Sequence, residues 1–134
     1  MVGFIARREN MLRQIGGAVV GVIAWGIVVT VLNLGLRHGW PAYAAVEKAM
    51  LFTVPMMAAR LSISGISSLV SGFVAAAIGR RGQAALIAGV LLLLIFLPIH
   101  YMIWSKFPLW YHLTFLTSLP VLSIIGGQFS RSGR

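Results

Sequence analysis

Four long apolar blocks, separated by short polar, glycine- or proline-containing stretches, set the pattern of this chain. About 20 apolar residues carry a helix across the roughly 30 Å hydrocarbon core of a bilayer. The first block, residues 15–36, contains no charge, and the second, residues 49–79, is interrupted only by Arg60. The third, residues 84–104, includes the unbroken apolar run 90–97, and the fourth, residues 109–127, ends in Gly126-Gly127. The connections at 79–83 and 105–108 are tight turns. Turns this short force neighbouring helices to run antiparallel. From Pro41 to Gly79 there are 39 residues, which as one helix would measure about 58 Å. Pro55 removes a backbone donor and clashes with the preceding turn, so it should divide that stretch. The pattern predicts an all-α membrane protein with one domain over residues 1–134. Its four transmembrane helices, at about 15–36, 55–79, 84–104 and 109–127, form an antiparallel bundle. A short outer interfacial helical segment, about 41–54, should precede the second crossing, with Pro41 as a favourable first helical residue.

Composition supports this assignment. Of the 134 residues, 59% are hydrophobic and only 10% charged, against about 25% charged in soluble domains. Such a surface cannot be clothed by its own polar groups, so lipid must face much of it. A formal charge of +9 would suggest nucleic acid in a soluble chain. Here the cations punctuate apolar blocks, as topology signals and anionic-headgroup contacts do, and no nucleic-acid partner is expected. Arg7, Arg8, Arg13, Arg80, Arg81, Arg131 and Arg134 fall on one side of the four crossings, and Arg37, Lys48 and Lys106 on the other. The positive-inside bias therefore predicts a multi-pass membrane protein with both termini cytoplasmic. Trp40, Tyr43, Tyr101, Trp104, Trp110 and Tyr111 gather at the opposite boundary, and only Trp25 lies mid-helix. The start, MVGFIARRENMLRQ, has no small-residue cleavage site near a short apolar stretch, so the first block is expected to remain as an anchor. There is no cysteine, hence no disulfide or thiolate metal site.

Small residues mark the packing surfaces. Ser64, Ser68, Gly72 and Ala76 recur every fourth residue, beside a second row of Ser67, Ser71, Ala75 and Gly79. Gly17 and Gly21 in the first helix, and Ala85 and Gly89 in the third, repeat that spacing. Lipid supplies no hydrophobic drive for helix association, so close backbone approach over small residues must. These rows predict a helix-packing seam, with a polar groove or a seam between copies as the functional alternative. Thr30 and Asn33 are the remaining polar groups of the first helix and should bond between helices.

Arg60 is the only charge inside an apolar block, and intramembrane charges are functional candidates by default. It lies 19 residues before Gly79, about 28 Å along the helix. That depth places it at the outer edge of the core, where a long side chain can snorkel. His100, His112, His38 and Glu47 are expected at the same level. A metal could draw on His38, His100, His112 and Glu47, since neutral imidazole suits Zn, Cu or Ni, but no ligand spacing supports it. A haem between His100 and His112 is disfavoured by their places near helix ends. Neither cofactor is expected. The arginine fork suits a phosphate or other anion. Arg60, His100, Tyr101, His112 and Glu47 therefore form the candidate site for a lipid headgroup, an anion or a partner. The plainer alternative is an interfacial network in which Arg60 pairs with Glu47 or with carbonyls freed near Pro55 and Pro98. Asp is absent and no acid lies mid-membrane, which argues against proton-coupled transport by buried carboxylates.

The segment Phe52-Thr53-Val54-Pro55-Met56-Met57-Ala58-Ala59-Arg60-Leu61 and its following serine/glycine helix resemble a set of small bacterial four-helix inner-membrane proteins. So do Leu97-Pro98-Ile99-His100-Tyr101-Met102-Ile103-Trp104 and Phe107-Pro108-Leu109-Trp110-Tyr111-His112-Leu113. The resemblance covers roughly residues 50–127 and implies a bacterial inner-membrane location and four helices, with no activity to transfer. The functional expectation is a non-enzymatic accessory or structural subunit of a membrane complex. Its partners would be the bilayer, anionic lipids, and a larger membrane protein or further copies of the chain. A homo-oligomeric channel or small-solute carrier, lined by the serine rows, is the alternative. A lipid- or quinone-handling enzyme using Arg60 and His100 is the third reading.

Overall fold

A computed structural model describes residues 2–132, with side chains through residue 130. Arg134, one of the seven cations grouped above, lies outside the described residues, as does the Arg131 side chain. The described residues are all-helical. Helix α1 spans Val2–Gly39, α2 Pro41–Val46, α3 Val54–Gly79, α4 Gly82–Met102 and α5 Leu109–Ser132, with a single 3-10 turn at Trp104–Lys106. Helices α1, α3, α4 and α5 are each long and apolar enough to cross a membrane.

Two boundaries differ from the expectation. Helix α1 begins well before the apolar block, because Ala6-Arg7-Arg8-Glu9-Asn10-Met11-Leu12-Arg13 is a good helix-forming sequence whose polarity does not interrupt the backbone. Helix α2 covers only six residues of the expected interfacial segment. It starts at Pro41, turns out of helix before Met50, which adopts a left-handed φ of 56°, and leaves an extended stretch before α3. It also buries Tyr43 completely, so this segment folds inward over the helix ends. Pro55 falls in the first turn of α3, where its missing donor costs nothing. The Thr53 hydroxyl caps that turn by accepting from the Met56 amide. At the other end, Arg80 takes the left-handed conformation at φ 59° and returns its amide to the Ala76 carbonyl, so the chain turns directly into α4.

The contacts fix helix directions. Gly17 of α1 lies against Ala75 and Gly79 of α3, and Gly21 against Ser71 and Ala75, so these helices run antiparallel. Helix α3 runs parallel to α5, with Gly65 beside Leu122 and Gly72 beside Ser123. Helix α4 returns antiparallel to α5, with Gly89 against Pro120 and Ser123. The seam is backbone on backbone. A Cβ on Gly72 would stand 1.7 Å from the Ser123 carbonyl oxygen, and one on Gly126 would stand 2.0 Å from that of Leu69. The expected seam residues Ser64, Ser68, Gly72, Ala76, Gly17 and Gly21 are all buried. The two rows on α3 divide the work: Ala75 and Gly79 receive α1, while Gly72 and Ala76 receive α5.

From the glycine-rich seam toward Arg60, the buried side chains of the four long helices pass from small to large. In α1 buried Gln14 is followed by Gly17, Ala18, Gly21 and then Trp25; in α4 the order is Ala84, Ala85, Ala88, Gly89, Leu92, His100. Read from its C-terminal half backwards, α5 gives Gly127, Gly126, Ser123, Leu119, Phe115, Tyr111, and α3 gives Gly79, Ala76, Gly72, Ser68, Ser64, then Met56. Because helix directions alternate, all four gradients point the same way. One end, here the Gly79 end, is close-packed over small residues. The other, the Arg60 end, is filled by aromatic rings, with Tyr43, Phe52, Met56, Phe107, Tyr111 and Phe115 in one core cluster.

Candidate functional site

At the Arg60 end, polar groups link four segments. The Arg60 guanidinium donates through Nη1 to the Tyr43 hydroxyl at 2.8 Å and through Nε to the Tyr111 hydroxyl at 3.2 Å. It lies 4.7 Å from the Phe52 ring centroid and 5.9 Å from that of Phe107. A cation over aromatic faces is favoured by the ring quadrupole, the more so away from water. Tyr43 Oη donates onward to Asn33 Oδ1 at 3.0 Å, and Asn33 Nδ2 to Glu47 Oε2 at 2.9 Å. Arg37 closes the chain with a fork onto Glu47, Nε to Oε1 at 2.6 Å and Nη2 to Oε2 at 3.0 Å.

Glu47 therefore pairs with Arg37, correcting the expected Arg60–Glu47 pair. Both are in reach of the α1–α2 connection, whereas Arg60 sits behind Tyr43. The Arg37 fork, with the Asn33 amide second, holds the Glu47 carboxyl below its ordinary range, against a desolvation cost of opposite sign. Among the described residues no carboxylate lies within ion-pairing distance of Arg60. Its partners are two neutral hydroxyls and two ring faces, which leave donors of its fork unassigned.

The two histidines form a separate unit. His100 Nδ1 and His112 Nδ1 are 2.7 Å apart, and His112 Nε2 lies 3.0 Å from the Trp104 carbonyl oxygen. The carbonyl can only accept, so His112 donates from Nε2. With both rings neutral, His112 Nδ1 then accepts from His100 Nδ1–H. His112 stacks on Trp104 at 4.6 Å, and His100 stacks on Tyr111 at 6.2 Å. Pro98 stands inside α4 without ending it, since the helix continues to Met102. The structure thus joins Arg60 and the His100–His112 pair through Tyr111, whose hydroxyl meets Arg60 and whose ring meets His100. It does not bring in Tyr101, which is 82% exposed, or the exposed His38. Tyr101 follows buried His100 directly, and adjacent helical positions face different directions. No group of three or more metal-ligating side chains occurs among the described residues.

Beside Arg60 a cavity of roughly 400 Å³ opens between α1 and α3. Arg60, Arg37, Asn33 and Ser64 give it a polar side, and Trp25, Val29, Phe96 and Phe115 an apolar one. Ser62, Ser67 and Ser68 return their hydroxyls to the carbonyls four residues back, at 2.7–2.9 Å. The hydroxyls of Ser64, Ser71 and Ser123 have no partner among the described residues although all three residues are buried, and of the three only Ser64 lines this cavity. The other serines are packing groups: Ser68 accepts from Trp25 Nε1 at 3.1 Å, and Ser67 and Ser71 are wholly buried. The rows thus meet neighbouring helices along most of their length and reach a cavity only at Ser64. Thr30 bonds to Gly26 of its own helix, so of the two polar groups in α1 only Asn33 bonds beyond α1.

Arg37, Asn33, Tyr43, Phe52 and Phe107 were not read from the sequence as site residues. Tyr43 and Tyr111 look like members of an interfacial belt, and Arg37 like a topology signal. The available clue was Arg60 itself, which needs oxygen partners at its own depth, and Tyr43 and Tyr111 are the two phenols that enter helices directly after Pro41 and Pro108. Comparison with known protein families, with curated proteins and with solved structures returns no match to this chain.

Proposed function

We propose that this chain is a non-enzymatic integral membrane protein that binds an anionic group at its Arg60 end, serving as an accessory subunit in a bacterial inner membrane. The observation that carries this reading is Arg60: a half-buried guanidinium, held between two tyrosine hydroxyls, without a carboxylate partner and bordering a cavity. A desolvated cation of this kind stabilises a negative group brought against it. The non-enzymatic part is supported by the geometry around it. His100 points its Nδ1 into His112, and the nearest acid, Glu47, is occupied by Arg37. The cation distribution supports a membrane orientation with both termini cytoplasmic, which puts Arg60 in the outer leaflet region.

The test is native mass spectrometry of the protein released from mild detergent. Wild type should carry an anionic lipid or another anionic species, and Arg60→Gln should lose it. Co-purification of a haem or metal, or adducts identical in the two proteins, would contradict the proposal.

A further inference from the structure

The cavity beside Arg60 has a direction. Along α1 it runs from Arg37 to Trp25, which are 12 residues apart or about 18 Å. Its Arg37 end is polar, with Asn33 and Arg60 there; its Trp25 end is apolar, with Val29 and Phe96. Exposed Thr30, Leu34 and Arg37 form the lip on α1, so the cavity opens sideways through the helix wall. The charges around it are two arginines and one glutamate. Since Glu47 is tied to Arg37, one positive charge remains uncompensated, on Arg60. Ser64, one helical turn from Arg60, also lines the cavity; its buried hydroxyl, like those of Ser71 and Ser123, has no partner among the described residues. Native interiors rarely leave such a group unsatisfied, and a bound ligand is one way to satisfy it.

We infer that the cavity takes one monoanionic amphiphile, its carboxylate or phosphodiester between Arg60 and Ser64 and its hydrocarbon chain along α1 toward Trp25. This rests on the anion-binding reading above and adds the charge, the tail and the orientation. A dianionic headgroup would leave one charge unpaired in a half-buried site, and an anion without a tail would leave the apolar half of the cavity unfilled. The sideways opening suits a ligand that arrives from the bilayer, either a free fatty acid or an anionic phospholipid.

Trp25 reports the tail directly. In a variant retaining only this tryptophan (Trp40→Phe, Trp104→Phe, Trp110→Phe), fluorescence is titrated with 9,10-dibromostearate in detergent. Separate nanodiscs carry 9,10-dibrominated phosphatidylglycerol or phosphatidylcholine. Acetate and inorganic phosphate are added as competitors. Saturable quenching by dibromostearate alone identifies a fatty-acid site; saturable quenching by the phosphatidylglycerol as well identifies a site for either headgroup. Arg60→Gln should weaken the half-point about tenfold and Ser64→Ala about fivefold, the loss of one charge-assisted contact each. Ser64→Ala removes a hydroxyl with no partner among the described residues, so it should fold at least as well as wild type and keeps the test open if Arg60→Gln does not fold. Equal quenching by phosphatidylcholine, or quenching unchanged in both variants, overturns the inference. If acetate or phosphate raises the melting temperature in an Arg60-dependent way while no brominated amphiphile quenches Trp25, the anion site stands and the amphiphile is refuted. If neither binds, both readings fall.

Discussion

At the Gly79 end of the molecule, helices meet backbone to backbone over Gly17, Gly21, Gly72 and Gly126; at the Arg60 end, Tyr43, Phe52, Phe107 and Tyr111 stand between them. The first arrangement leaves no room for a methyl group at these glycines; the Ser67 and Ser68 hydroxyls return to their own helix, and those of Ser71 and Ser123 are packed without a partner among the described residues. The second contains a hydrogen-bonded chain from Arg37 to Tyr111 and a cavity beside it. Association in lipid depends on close packing, so the small-residue end can hold the helices together while the large-residue end wedges them apart. A wedge of this kind offers a binding site with little loss of the contacts that maintain the fold. The two ends should therefore answer to mutation differently, one in stability and the other in ligand binding.

The largest effect is expected at the seam. Gly72→Val places a branched side chain where even a Cβ overlaps the Ser123 carbonyl. Overpacking of this severity should cost about 3 kcal/mol or more, read as loss of the folded species in detergent thermal melts. A melt within a degree of wild type would break the comparison at its packing end. Next comes Tyr43→Phe, which removes both the acceptor for Arg60 and the donor to Asn33 from a fully buried site. About 2 kcal/mol should be lost, one buried network position with two bonds, and ligand binding should weaken as Arg60 loses its brace. Ser64→Ala goes the other way. Deleting an unpartnered buried hydroxyl should stabilise the ligand-free protein by about 1 kcal/mol, while binding falls; a loss of stability would show that the hydroxyl has a structural partner.

The smallest effect is tied to pH. The Glu47 carboxyl is held below its ordinary value of 4.5 by Arg37. A depressed carboxyl contributes stability that is present above the unfolded value and lost as pH falls through the folded one. The difference in melting temperature between wild type and Glu47→Gln should hence be constant near neutrality and shrink below about pH 4.5. A difference that grows on acidification would show that the Arg37 pair does not stabilise the fold.

Much of the fold was legible because long apolar helices declare themselves by length and composition, and close-packed faces by small residues. Pro55, Gly79 and the 79–83 turn marked the ends of α3 and α4 through backbone chemistry that is local in sequence. The size gradient was also in the sequence, visible once the alternating helix directions are applied to it. The site was only partly legible. Depth counted from Gly79 brought Arg60, His100 and His112 to one level, but depth says nothing about rotation around the helix axis. Rotation is what sends Tyr101 outward and lets Tyr111 meet both Arg60 and His100. The Arg37–Glu47 pairing depended on where the α1–α2 connection folds, and Met50 with its left-handed φ gave no sequence sign of that turn.

The central claim is that one end of the molecule packs and the other binds, and the oleate-induced change in melting temperature tests it most directly. It is measured in detergent for wild type, Arg60→Gln and Gly21→Ala, the last bringing a Cβ within 2.6 Å of the Ser71 carbonyl oxygen at the packing end. The account predicts that Gly21→Ala melts lower than wild type yet shifts with oleate as wild type does, and that Arg60→Gln shows no shift. An undiminished shift in Arg60→Gln, or no shift in wild type, would contradict it.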